Sequence, residues 1–154
     1  MPTHIHGIDE LSALVGTQIG QSEWQEMTLD QIRRFADATG DHQWIHVDEE
    51  RIKRESPFGA PIAHGYLTLS LIAGLFFEVL HLEGMGMIIN YGAGRVRFPH
   101  PLRAGDSYRL HLGLGELHDR GKGWWEAVFQ AQIQIQGIEK PACVAECLYR
   151  FTTA

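Results

Sequence analysis

IAHGYLTLSLIAGLFFEVLHL, residues 62–82, is the most apolar stretch of the chain and the one from which the fold is read. His64, Gly65, Ser70, Gly74, Glu78 and His81 interrupt it, which argues against a membrane span and for a helix buried inside a protein. Gly84 and Gly86 are placed to end that helix. A helix apolar nearly all round needs cover on most of its sides, and the rest of the sequence must supply it.

Downstream the period changes from helical to alternating. Met87 to Tyr91 is a first apolar run, and Ala93 to Phe98 continues it past the glycines. After a turn at residues 99–106, Tyr108, Leu110, Leu112 and Leu114 fall on one face of a strand. Trp125, Ala127, Phe129, Ala131, Ile133 and Ile135 repeat the pattern, and Cys143, Ala145, Cys147, Tyr149 and Phe151 complete it. One-sided alternation marks antiparallel strands with one wet face. Such a sheet covers the helix only by curling around it, an α+β arrangement of the hot-dog type. The expected organisation is a single domain over residues 1–154.

Upstream, Asp9 is placed to cap a short helix carrying Leu11, Leu14 and Val15 and ended by Gly16. Thr28 with Gln31 makes a capping-box pattern ahead of the stripe Leu29, Ile32, Phe35, Ala36, which Gly40 stops. A loop follows from Asp41 to His46, then a polar helical turn near Asp48 to Lys53 and the loop SPFGAP, residues 56–61.

Composition narrows the function classes. With 154 residues, 44% hydrophobic and a net charge of −6, the chain is expected to bind neither nucleic acid nor anionic membrane. Cys143 and Cys147 lie four residues apart on one strand, ~13 Å at strand rise, too far for a disulfide. They read as buried thiols of a reducing compartment. MPTHIHGIDELSALVG shows no basic leader before an apolar core, so a cytoplasmic location is expected. His4, His6, His100, His111 and His118 show no clustering in the sequence.

The segment FADATGDHQWIHVD, residues 35–48, carries the chemistry. It sets a carboxylate, Asp41, just past a helix-ending glycine and an imidazole, His46, five residues on. A loop can bring both to one point and hold one water between them. Each also has a plainer reading: Asp41 capping the next turn, His46 a hydrogen-bonded loop residue. A metal pair of His42 and His46 lacks a clear third ligand. In PIAHGYLTLSL, residues 61–71, Gly65 stands where a helix N-terminus offers free backbone N–H groups and the positive end of a dipole. It is an oxyanion donor or simply a close-packed helix start.

Residues 35–48 resemble the signature of the MaoC-like, or hydratase-2, family: an aromatic and Ala, then Ser/Thr-Gly-Asp, with His five residues after the Asp. His64-Gly65-Tyr66 resembles the family's His-Gly-hydrophobic step, and RVRFPHPLRAGD, residues 95–106, its strand-turn segment. The whole chain looks closest to the short nodulation-protein-N-like branch. The resemblance implies R-specific hydration of trans-2-enoyl-CoA to (R)-3-hydroxyacyl-CoA. In that reading Asp41 and His46 activate water and the Gly65 N–H receives enolate charge. The CoA thioester is substrate, no metal or redox cofactor is expected, and the protein is at least a homodimer. Gln43-Trp44 replaces the usual Asn-Pro, so Trp44 is expected to shape the acyl pocket. Ala73 stands where some members have a Ser supporting the catalytic His, leaving Ser70 as a substitute.

Tyr66 and Asn90 are further candidates for the pocket, and Arg95 with Arg97 for the CoA phosphates. Two rivals share this fold: an acyl-CoA thioesterase, and a non-catalytic acyl-CoA-binding module.

Overall fold

The computed structural model describes residues 1–153. In chain order the elements are β1 (Thr3–His6), α1 (Gly7–Ala13), β2 (Thr17–Gln21), β3 (Gln25–Glu26), α2 (Leu29–Thr39), α3 (Trp44–Val47), α4 (Glu49–Glu55), α5 (Gly65–Val79), β4 (Leu80–Glu83), β5 (Met85–Arg97), β6 (Ser107–Gly121), β7 (Trp124–Ile135) and β8 (Ile138–Thr153). The larger sheet has the order β2–β6–β7–β8–β5, with β3 also pairing β6, and all its pairings are antiparallel. A small ladder joins β1 to β4 in parallel.

The registers explain why the alternation yields one core. Leu110 faces Ile133, which faces Cys143; Leu114 faces Phe129, which faces Cys147. All six are buried, so three long strands present their apolar residues in phase to the same side. Helix α5 lies in that concavity. Its Phe76 is fully buried, with ring centroids 5.0 Å from Phe129 and 4.9 Å from Tyr149. Truncating a ring so packed costs about 3–5 kcal/mol. Burial also pushes the Cys143 thiol up to about 12 and the Cys147 thiol up to about 11, which makes both inert at neutral pH.

Helix α5 is covered on most sides, as expected, leaving Tyr66, Ser70, Gly74, Phe77 and Glu78 as an exposed stripe. Three expectations about element bounds need correction, two of them for this helix. It begins at Gly65 rather than Ile62, because Ile62 bridges Arg103 and the Ala63 N–H donates to the Leu102 carbonyl, holding those residues extended. It ends at Val79, not at the later glycines, because Leu80–Glu83 pairs with β1. Helix α1 starts at Gly7, with the His6 N–H donating to the Glu10 carboxylate, so Asp9 lies in its first turn and is not its cap. No helix among the described residues is long and apolar enough to cross a membrane.

Candidate active site

The Asp41–His46 loop is fixed at both ends by the elements around it. Thr28 Oγ1 accepts from the Gln31 N–H to start α2, and Gly40, at φ 79°, ends it in the left-handed region that glycine adopts without strain. Asp41 follows at once. Its Oδ1 accepts from the Gln43 N–H at 3.3 Å, shaping the turn into α3 while the carboxylate stays exposed. His46 lies in α3 and is 5% exposed. Its Nδ1–H donates to the Ile62 carbonyl at 2.6 Å, and the Ile62 N–H donates back to the Ile45 carbonyl at 3.2 Å. That pairing fixes the tautomer: with the proton on Nδ1, Nε2 carries the free lone pair. Burial lowers the His46 pKa below the ordinary histidine value, and the adjoining His64 lowers it further. The Ile62 carbonyl and Asp41 oppose that shift without cancelling it. The ring is therefore neutral at pH 7, ready to accept a proton.

His64 is the residue that sequence reasoning quoted but did not assign. It is 3% exposed and stacks on His46, with Phe35 packed near it at 4.9 Å between ring centroids. Its Nε2–H donates to the Asp41 backbone carbonyl at 2.9 Å, tying the carboxylate-bearing loop to the start of α5. Its Nδ1 is buried without a partner. A buried polar residue one step before a helix-starting glycine was the available signal. One donor atom from each of Asp41, His46 and His64 lies within 4.8 Å of the others. These three are the residues here that could approach a cation. Two imidazoles stacked nearly parallel would hold a shared ion well out of at least one ring plane, so the set suits a hydrogen-bonded water better.

Gly65 opens α5, and its N-cap residue His64 offers no side-chain cap, so the first N–H groups of the helix lack an intrahelical partner. A Cβ at Gly65 would lie 2.9 Å from two ring carbons of Phe98. Close packing is thus a demonstrable reason for glycine here, and it leaves the N–H free for a second role.

The remaining candidates scatter. Asn90 lines a cavity of about 280 Å³ between α5 and β5, together with Leu69, Ala73, Tyr91, Cys147 and Tyr149. That cavity begins one helical turn beyond Gly65 and does not reach Asp41 or His46. Tyr66, 73% exposed, sits outside it beside Phe98. Trp44 also lies away from it, with the Arg51 guanidinium 4.3 Å over its ring. Arg95 and Arg97 are exposed on β5 and make no ion pair among the described residues; Arg97 donates to the Val96 carbonyl. Ser70 Oγ donates to the Tyr66 carbonyl and so does not support His46, a task that falls to Ile62 and His64. His42 turns outward onto Asp37, away from His46.

Residues 10–123 match the MaoC like domain family. The chain belongs to the MaoC-like dehydratase family. As a member it is an enzyme of the hydro-lyase class, in keeping with a carboxylate and a neutral imidazole beside a helix N-terminus. It is 42% identical to 3-hydroxyacyl-thioester dehydratase Z of Mycobacterium tuberculosis, covering 94% of this chain and 95% of the relative. It is 39% identical to nodulation protein N of Rhizobium leguminosarum bv. viciae, covering 92% and 89%. An R-hydratase structure from Pseudomonas aeruginosa superposes with a TM-score of 0.71 at 23% identity, covering 91% and 83%. That last likeness bears on the hot-dog fold of this MaoC-like chain.

Proposed function

We propose that the chain is an R-specific enoyl-CoA hydratase, adding water to trans-2-enoyl-CoA to give (R)-3-hydroxyacyl-CoA without a metal or redox cofactor. The observation that carries this reading is the His46 tautomer: Nδ1 donates to Ile62, which leaves Nε2 with the free lone pair, and a ring nitrogen of His46 lies within 4.8 Å of an Asp41 carboxylate oxygen. A water bound by both loses a proton to the pair as its oxygen bonds to C3 of the thioester. The C2 carbon then takes up a proton, so water's atoms are all accounted for. Enolate charge on the thioester oxygen meets the Gly65 N–H at the positive end of α5. The relatives' names, a hydroxyacyl-thioester dehydratase and an R-hydratase, agree with that chemistry in its two directions.

The cavity beside Ala73 suits the acyl chain, and Arg95 with Arg97 suits the CoA phosphates. A second copy of the chain is part of this reading. Strand β5 ends the sheet, and it exposes Met87, Ile89 and Tyr91 along an unpaired edge. Crotonyl-CoA tests the proposal: its enone absorbance should decay without release of free thiol. Thiol release would make the protein a thioesterase, and no reaction would make it a binding module. Sedimentation should give at least twice the 17.4 kDa chain mass.

A further inference from the structure

Far from Asp41, at the other end of α5, the parallel ladder of β1 and β4 gathers four groups whose proximity is invisible in the sequence. The register sets His4 opposite His81 and His6 opposite Glu83. Residues two apart on a strand share a face, so all four side chains rise from the same side of the ladder. Ile5, Leu80 and Leu82 occupy the opposite face, packed in or against the core. The four Cα positions form the corners of a rectangle of roughly 5 by 7 Å, from the spacing of strands and of alternate residues. Glu83 reaches across the ladder to both histidines of β1. Its Oε1 accepts from His4 Nδ1 at 3.1 Å, and Oε2 lies 2.9 Å from His6 Nδ1 as an ion-pair contact. The His81 ring centroid lies 4.8 Å from that of His4.

We propose that His4, His6, His81 and Glu83 form a surface binding site for a borderline divalent cation, Zn²⁺ in the first instance. Imidazole nitrogen and carboxylate oxygen are the ligand types Zn²⁺ takes, and three nitrogens with one oxygen fill a tetrahedral site. Two histidines at i and i+2 on a strand, with a third on the neighbouring strand, can reach one ion from three directions by turning their exposed side chains, the backbone staying in place. Glu83, close to a nitrogen of each β1 imidazole, marks the point on which they can close. Zn²⁺ entering there replaces those contacts with coordinate bonds, and any proton on a ligating Nδ1 moves to Nε2 or is released to solvent, freeing the lone pair. Access is open, since the side chains of His4, His6 and Glu83 are 50%, 63% and 52% exposed. The setting favours a cation as well. Helix α5 ends at Val79, two residues before His81, and directs the negative end of its dipole towards this end of the ladder. The ion would staple β1 to β4 and leave the catalytic end of α5 untouched.

The test titrates ZnCl₂ into the full chain by calorimetry and follows Tm in parallel. Saturable binding of one Zn²⁺ per chain and a rise in Tm are expected. The double variant His4→Ala/His81→Ala should bind at least about tenfold more weakly and lose the Tm rise, since half the ligand set is gone. Its crotonyl-CoA hydration in metal-free buffer should match the parent, which shows that it is folded. Glu83→Gln should weaken binding, and His46→Gln should leave it unchanged. Absence of saturable binding overturns the proposal. So does equal affinity in the double variant, or loss of binding in His46→Gln, which would put the ion at Asp41, His46 and His64 instead.

Discussion

His46 and His64 stack with ring centroids 3.7 Å apart and planes 20° from parallel. Each ring uses one nitrogen to hold a backbone carbonyl, Ile62 for His46 and Asp41 for His64, so the stack joins the Asp41–His46 loop to the residues entering α5. A charge on His46 would be poorly accommodated in this buried stack. Burial and this neighbour together keep the His46 pKa below the ordinary value.

If the neutral ring is the base, kcat/KM should rise with pH through an ionisation below the ordinary histidine value of about 6.5 and stay level towards pH 8. Replacing His64 with Phe keeps a ring in the stack but removes the N–H to the Asp41 carbonyl and the electrostatic pressure on His46. We expect kcat to fall about tenfold, the scale of one lost hydrogen bond, with KM little changed. The acid limb should also move up in pH. A fall in kcat with the limb in place would leave His64 a purely packing residue. The same shift links to stability. His46 binds its proton less readily folded than unfolded, so its contribution is present at neutral pH and declines as pH drops below the unfolded value.

Chain-length preference should follow the cavity beside Ala73. Ala73→Leu narrows a space whose walls include Asn90 and Tyr149. It should lower kcat/KM for C8 and C12 enoyl-CoA relative to C4 by about tenfold or more, the usual discrimination of a filled apolar pocket. Trp44, stacked with Arg51 outside that cavity, should affect all three lengths alike when replaced by Ala. Kinetics on the three substrates decide between the two residues.

The sequence disclosed what is written locally. Thr28, Gln31 and Gly40 bound α2 through contacts within a few residues, and the alternation at Leu110, Ile133 and Cys143 needed only period two to be read. What stayed hidden depends on distant partners. Leu80–Glu83 follows the helix with no breaking residue between them, and only β1, some 77 positions earlier in the register, makes it a strand. His4 and His6 look isolated until that same register sets them beside His81 and Glu83. His64 is legible as part of a motif, yet its stack on His46 requires two loops to meet. Gly65 has a packing cause, Phe98, that lies 33 residues downstream.

Glu126 anchors the far side of the sheet. It is buried on β7, and its two oxygens accept from Arg120 at 2.6 Å and Arg150 at 2.7 Å. Those guanidiniums hold its carboxyl below the usual Glu range. A depressed folded pKa contributes stability above the unfolded value, about 4.3, and loses it as pH falls through the folded value. Glu126→Gln should therefore destabilise by about 1–3 kcal/mol at pH 7, and the gap to the parent should close towards pH 3. Thermal melts at the two pH values measure this. Arg150 also lies 3.5 Å over the ring of Tyr91, so the variant should loosen one wall of the cavity.

Gly65 serves two demands that one pair of variants separates. Gly65→Ala sets a Cβ against Phe98, so the ring or the start of α5 must shift. If the Gly65 N–H receives enolate charge, kcat should drop by roughly 10- to 100-fold, short of the loss from deleting an oxyanion donor outright. Adding Phe98→Leu relieves the clash and should restore part of that rate. A rate for Gly65→Ala equal to the parent would show that the Phe98 ring gives way and the N–H keeps its place.

Asp41 and His46 should act on one water as a unit. If both position and deprotonate the same nucleophile, removing either disables the same step, and the losses do not add. Asp41→Asn and His46→Gln should each lower kcat by roughly 10²–10⁴, the scale of a general acid–base group. The double variant should be little worse than the poorer single one. Folding should survive in Asp41→Asn, because the carboxylate is exposed and an amide oxygen can still accept from the Gln43 N–H. His46→Gln is the more demanding change, since the Ile62 carbonyl needs a donor at 2.6 Å; a Gln side-chain amide can supply one. Circular dichroism on both variants checks that the rates compare folded enzymes. Additive losses would assign the two residues to separate steps, and near-parental hydration by either variant would remove that residue from the chemistry.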